Sequence, residues 1–273
     1  MMLRNYILFA FTICFFNFGL LQAQADSDSV SIADITESNV AVVESEAATA
    51  YRDKAFAESI KLYEAQIEQS KQIKQESAEL YYNLGNAYFR DNQVAKAIVN
   101  YERALLLKPG DSDIRHNLRF ARTRIEDKID SSDNFFINRW VRSLQNLYNA
   151  NTWAVVGIVF FVLFILAVGL YMISSRLVLR KISFYVGIVL FFMVVITNVF
   201  AFKQKDKIVN RSTGIVMSAS VSIYTSPDAH SQELFRLHEG AKVKIKREEG
   251  RWIEIMIANG SVGWLQKMNV EII

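Results

Sequence analysis

The chain has 273 residues, 51% of them hydrophobic, and a formal net charge of +3. So slight an excess of cations excludes a charge-driven polyanion partner, and no nucleic acid is expected. The one cysteine, Cys14, lies in the N-terminal apolar run, which excludes disulfides, thiolate metal sites and a cysteine nucleophile from the rest of the chain.

Residues 1–25 have the pattern of a secretory signal: Arg4, an apolar run from Tyr6 to Leu21, and the small-residue stretch Ala23-Gln24-Ala25. Residues 26–41 are rich in Ser, Asp, Ala and Val and lack aromatic residues, which predicts a solvated tether. Helical spacing prevails over 42–130, and Lys54–Tyr63 overlays Asn92–Tyr101 at an offset of 38 residues. Gly85 and Ala97 are small where two helices would cross, Leu84, Tyr88 and Tyr101 suit the seam between them, and Pro109 stops the second helix. Beyond Pro109-Gly110, Asp111 or Ser112 is expected to cap a further helix through about Lys128, with Ile114, Leu118, Ala121 and Ile125 on one stripe.

Tyr81, Leu84, Gly85, Tyr88, Ala97, Tyr101, Ala104 and Pro109 stand at the spacing of the 34-residue tetratricopeptide repeat, and the segment resembles that family. The upstream copy keeps Phe56, Ser59, Ile60 and Tyr63 but has Ala47 for the small Gly. The resemblance implies a superhelical stack whose concave groove binds an extended peptide or a partner helix. By analogy the groove is lined by Tyr82, Asn86, Phe89 and Arg90, joined by His116. Stacks need about three repeats to bury a continuous core, so self-association or a partner is expected to complete this one.

Across 131–151, Phe136, Ile137, Trp140, Val141, Leu144, Leu147 and Tyr148 recur at three- and four-residue steps beside Arg139 and Arg142. That pattern fits a helix lying in a membrane interface, the alternative being one more helix packed on the repeats. Residues 152–173 and 182–202 follow as two uncharged apolar stretches, each long enough as a helix to cross the ~30 Å hydrocarbon layer. Asn151-Thr152 offers a cap to the first, and Gly157, Gly169 and Gly187 suit close helix contact. The turn between them, 174–181, carries Arg176, Arg180 and Lys181, which favours a hairpin with a cytoplasmic turn and both flanking domains outside the cytoplasm. Lys203, Lys205, Lys207 and Arg211, in the expected linker 203–211, argue by charge for the opposite orientation, and the exported N-terminus is weighed above them. The absence of ionisable residues from both stretches argues against ion transport.

Residues 212–273 change to short β-type runs at Gly214–Met217, Val221–Tyr224, Ala241–Arg247, Arg251–Ile257 and Val262–Leu265. The order Val221-Ser222-Ile223-Tyr224, Leu237-His238-Glu239-Gly240, Gly250-Arg251-Trp252-Ile253-Glu254-Ile255 and Val262-Gly263-Trp264-Leu265 resembles the bacterial SH3 family. This implies a small barrel with Tyr224, Trp252 and Trp264 as its contact face. The fold class expected is thus multi-domain α + membrane + β: tetratricopeptide-type helical repeats, a two-helix transmembrane hairpin and a small C-terminal SH3-like β-barrel.

No catalytic set emerges. His116, His230 and His238 are isolated surface or turn residues without metal-ligand spacing, so neither enzyme activity, metal nor cofactor is expected. The domain order resembles the BatE-like family of the Bat aerotolerance operons, which implies membrane partners carrying von Willebrand A domains and a part in envelope stress. The function expected is a non-enzymatic membrane-anchored scaffold. The alternative is an envelope-anchoring module whose SH3-like domain binds peptidoglycan.

Overall fold

The helical repeat is visible first in its turns. A computed structural model describes residues 46–73, 75–127 and 136–273, so the expected signal and tether lie outside the described residues. Helix α1 (residues 46–52) is followed by α2 (Phe56–Gln72), α3 (Ala78–Arg90), α4 (Val94–Leu107) and α5 (Ser112–Arg122). Between α1 and α2, Asp53, Lys54 and Ala55 donate to the carbonyls of Thr49, Tyr51 and Ala50. Between α3 and α4, Asp91, Asn92 and Gln93 donate to those of Ala87, Phe89 and Tyr88, the same three bonds displaced by 38 residues. Lys54 and Asn92 share the left-handed backbone as well, with φ of 63° and 62°.

Side-chain size then sets how closely the helices cross. A Cβ on Gly85 would lie 2.7 Å from the Tyr101 ring, so α3 and α4 meet at a distance only glycine permits. In the upstream copy Ala47 takes the glycine's place, and the buried Ser59 hydroxyl donates to the Ala47 carbonyl at 2.9 Å across the same crossing. Tyr63, Tyr81, Leu84, Tyr88, Ile98 and Tyr101 fill the core between the pairs, and α5 closes it with Ile114, Leu118 and Ala121. Asp111 is the N-cap of α5, its carboxylate accepting from the amides of Asp113 and Ile114. Thr123 donates its hydroxyl to the Phe120 carbonyl, and α5 ends there, short of Lys128.

Three further helices form the middle of the chain: α6 (Phe136–Gln145), α7 (Ala150–Ile173) and α8 (Leu177–Asn210). Asn149, two residues before the expected cap, accepts from the Thr152 amide at 2.8 Å. Both α7 and α8 are long and apolar enough to cross a membrane, and few of their residues are buried within the chain. Of the three glycines expected at their contact, Gly157 faces Thr197 closely and Gly187 is buried beside Phe164, Val168 and Tyr171 of the other helix, although nothing lies within 4 Å of a Cβ there or on Gly169. Thr197 and Asn198 donate to carbonyls of their own helix, satisfying the polar groups that hydrocarbon would penalise.

Helix α8 does not stop at Phe202. No Gly or Pro interrupts residues 203–210, so the expected linker is two further helical turns, ended at Arg211 with φ 28°. The Arg211 guanidinium pairs with Glu76 at 2.7 Å, which ties this end of α8 to the segment between α2 and α3.

The C-terminal residues form one antiparallel sheet of β1 (Thr213–Val216), β2 (Ser220–Tyr224), β3 (Glu233–His238), β4 (Lys242–Glu249), β5 (Trp252–Met256), β6 (Val262–Gln266) and β7 (Val270–Ile272), in the order β3-β2-β6-β5-β4-β1-β7. The five expected strands are present, and β3 and β7 are additional. Ile223, Leu237, Val243, Ile253, Ile255 and Leu265 make its interior. Ile215 and Ile273, on the strand edge formed by β1 and β7, join the apolar core of the repeats instead. The short helical stack is therefore completed by the chain's own sheet, where a partner or a second copy had been expected.

Candidate functional site

The two faces of the repeats have different fates. One is covered by the sheet and the other holds an open cleft, and helix order determines which residues reach each.

On the covered face, Glu102 of α4 is buried, with its carboxylate 2.7 Å from Lys242 Nζ of β4 and hydrogen bonded to Arg122 of α5. Burial pushes this carboxyl up, but the combined pull of Lys242 and Arg122 overrides it and holds the pKa below the ordinary value. Arg103, the next residue, reaches Glu271 at 2.6 Å and the Ile272 carbonyl at 3.1 Å on β7. At the far edge Asp127 accepts from the His238 backbone amide at 2.6 Å and faces His238 Nδ1 at 3.0 Å. His238 is thus part of a clasp between repeats and sheet, where the sequence had suggested an isolated surface residue.

The clasp should sense pH. The hydrogen bond to Asp127, helped by the charges of Asp127 and Glu126 and opposed by desolvation and Arg236, raises the His238 pKa above 6.5. A raised histidine contributes stability that is fully present below pH 6.5 and is lost as pH rises through the folded pKa. Hydrogen exchange of β3 amides should accordingly quicken, relative to intrinsic exchange, as pH rises above 6.5. His238→Gln should flatten that dependence, and an unchanged pH profile would contradict this role.

The open face is built from the first helix of each pair. Tyr101 donates to Asn86 Oδ1 at 2.8 Å, and Asn117 of α5 donates to the same oxygen at 2.9 Å and to the Tyr82 hydroxyl at 3.0 Å. Burial raises the Tyr101 phenol well above its usual range, which keeps it a donor here. With both lone-pair positions of Oδ1 engaged, what Asn86 offers a ligand is its NH2 group. It does so in a cleft of about 340 Å³ lined by Ala48, Tyr51 and Arg52 of α1, Tyr63 of α2, and Asn83 and Asn86 of α3.

The five residues expected in the groove are therefore divided. Tyr82 and Asn86 are brought together by Asn117, and Asn86 lines the cleft. Phe89 packs on Phe120 with ring centroids 5.5 Å apart, and the Arg90 guanidinium lies 5.5 Å over the Phe56 ring. His116 is exposed on α5, which presents Asn117 to Tyr82 and Asn86. Tyr51 and Arg52 were missed, although the 38-residue offset places them on Phe89 and Arg90.

On the sheet, Tyr224 and Trp252 form a T-shaped pair, centroids 5.8 Å apart, and both are half-buried. Trp264 is only 4% exposed, with Arg247 4.9 Å over its ring and Glu254 holding Arg247 at 3.0 Å. It is a packing residue beneath Arg247, not part of an open face. Among the described residues no group of three or more His, Cys, Asp or Glu is placed to hold a metal ion.

Residues 78–111, which comprise α3, α4 and the turn that follows, match the tetratricopeptide repeat. No curated protein matches the chain. Repeats of this kind mediate contacts between proteins, so the segment is an interaction module.

Proposed function

We propose that this protein is a membrane-anchored, non-enzymatic scaffold whose cleft between α1 and α3 docks an extended peptide segment of a partner. The observation that carries this reading is the donor set in the cleft: the Asn86 NH2, Asn83 and the Arg52 guanidinium stand beside the Tyr51 and Tyr63 rings. Donors in that number suit backbone carbonyls and an acidic side chain, and the rings suit the apolar parts of a peptide. The hairpin of α7 and α8 is the anchor. Direct packing of repeats on sheet supports it, because two modules in contact must lie on one side of a bilayer. We place them in the periplasm of a bacterial inner membrane on the sequence reading of the signal and the basic turn. The seven-stranded sheet is read as an SH3-like barrel that offers Tyr224 and Trp252 as a second contact, and the Bat-type assembly remains the best setting for both.

Asn86→Asp tests the cleft with little structural disturbance, since a carboxylate oxygen still accepts from Tyr101 and Asn117 while the NH2 donor is gone. Random peptides displayed on phage and panned on the full chain in mild detergent should yield acid-containing binders. These should lose roughly 10–100-fold in affinity for the variant, as expected for one hydrogen bond to a charged group. Binders indifferent to both Asn86→Asp and Arg52→Ala would place the docking surface elsewhere.

A further inference from the structure

We propose that α7 and α8 hold an anionic phospholipid at the turn end of the hairpin, with one acyl chain between the helices and the phosphate at Arg180. The proposal rests on the membrane reading given above and adds a ligand to it. The two helices approach closely where Gly157 faces Thr197. Toward the turn, two ring pairs hold them apart: Phe164 with Phe191 and Tyr171 with Phe184, each with centroids 6.1 Å apart. Between these spacers α8 presents Ser183 and Gly187, both buried and both too small to reach across, and nothing stands within 4 Å of a Cβ on Gly187. The result is a space of about 360 Å³, lined by Phe164, Val168 and Tyr171 on one helix and by Ser183, Gly187 and Phe191 on the other.

The dimensions of that space select hydrocarbon. Side chains around it forgo dispersion contacts unless something fills it. Phe164 and Tyr171 are seven residues apart, about 10 Å along the helix. A partner helix, itself about 10–12 Å across, would not enter a space of that length and volume. An apolar cavity of ~150 Å³ takes up benzene, so this larger one has room for an acyl segment of roughly a dozen carbons.

Charge selects the headgroup. The Arg180 guanidinium lies 5.2 Å over the ring of Tyr171, which lines the space, so this cation stands at its turn end, with Arg176 and Lys181 nearby in sequence. No Asp or Glu occurs between Asp133 and Asp206, and the described carboxylates of repeats and sheet stand beyond the opposite ends of the two helices, roughly 30 Å away. No side chain caps α8, so its first amides add to the attraction for an anion. Three cations beside an apolar space fit an amphiphile with a negative head, which favours a phospholipid over a protein helix as the occupant.

The test uses the full chain in phosphatidylcholine vesicles containing a trace of phosphatidylglycerol that carries a photoactivatable diazirine in one acyl chain, with the labelled residues read by mass spectrometry. Label should concentrate on the residues that line the space, Val168 and Gly187 among them. Gly187→Leu fills the space and should remove that label, whereas Gly169→Leu, at a position equally free of neighbours but outside the lining, should leave it. Arg180→Gln should reduce it roughly fivefold, the loss expected for one cation at an anionic surface, and a phosphatidylcholine probe should label the space more weakly than the phosphatidylglycerol one. Uniform labelling along both helices, labelling indifferent to Gly187→Leu or to Arg180→Gln, or a wild-type space left unlabelled because a second copy occupies it would each overturn the proposal. Carbonate extraction separates these results from failure of the membrane reading, which alone would release the wild-type chain from native membranes into the soluble fraction.

Discussion

Gly240→Val should separate the sheet from the helical repeats. Gly240 turns the chain from β3 to β4 with φ 85°, a conformation that strains any side chain bearing a Cβ. A Cβ there would stand 2.4 Å from Ile125 Cγ2 and 3.3 Å from Ile98 Cδ1, and Ile98 is fully buried in the repeat core. The left-handed backbone costs about 1–2 kcal/mol and the overpacking about 1–3 kcal/mol, so about 2–5 kcal/mol is lost from the contact. Gly250→Val supplies the control, since Gly250 has φ 58° but nothing within 4 Å of its Cβ position. Hydrogen exchange should show α4, α5 and β1 losing protection together in the first variant. In the second, only the β4–β5 hairpin should loosen. Equal behaviour of the two would mean that the turn, and not the docking, sets the effect.

Glu102→Ala should be the other severe substitution. It removes the one carboxylate held between Lys242 and Arg122, leaving two cations facing each other at a protein interior. Breaking a buried pair typically costs 3–5 kcal/mol; because Lys242 and Arg122 keep part of their surface in solvent, about 2–4 kcal/mol is expected. Urea denaturation of the full chain in detergent measures this. Replacing Glu102 and Lys242 together by Met should recover most of the loss, since the desolvation cost disappears with the charges. The pH dependence has a definite sign. Glu102 is depressed below 4.5, so its contribution is present above pH 4.5 and is lost as pH falls through the folded pKa. Acid should therefore loosen this contact and alkali the His238 clasp, leaving the sheet held best between them.

How much of this was legible in the sequence depended on whether the cause was local. The tetratricopeptide spacing was legible because each residue answers a local need, as Gly85 does beneath the Tyr101 ring. The cleft was half legible: Asn86 was read from α3, whereas Tyr51 and Arg52 needed the 38-residue overlay carried back into α1. Asn117 lies one residue from His116, and a shift of about 100° around a helix decides which of them meets Asn86. Strand β3 was missed because Glu-Leu-Phe-Arg-Leu-His lacks β-branched residues and is stabilised by its pairing with β2. The docking of sheet on repeats was not legible at all. Ile215, Ile273 and Gly240 carry no sign of what lies against them, and Glu102 and Lys242 are separated by 140 residues.

The central claim is that repeats and sheet form one body on one face of a membrane, joined below by the hairpin. Cysteines placed at Arg103 and Glu271, whose side chains meet at 2.6 Å, test it most directly when treated with a short bis-maleimide in intact cells. The account predicts an intramolecular crosslink, with both positions labelled from the same side of the membrane. Labelling of one position from outside and of the other only after permeabilisation, with no crosslink formed, would contradict it.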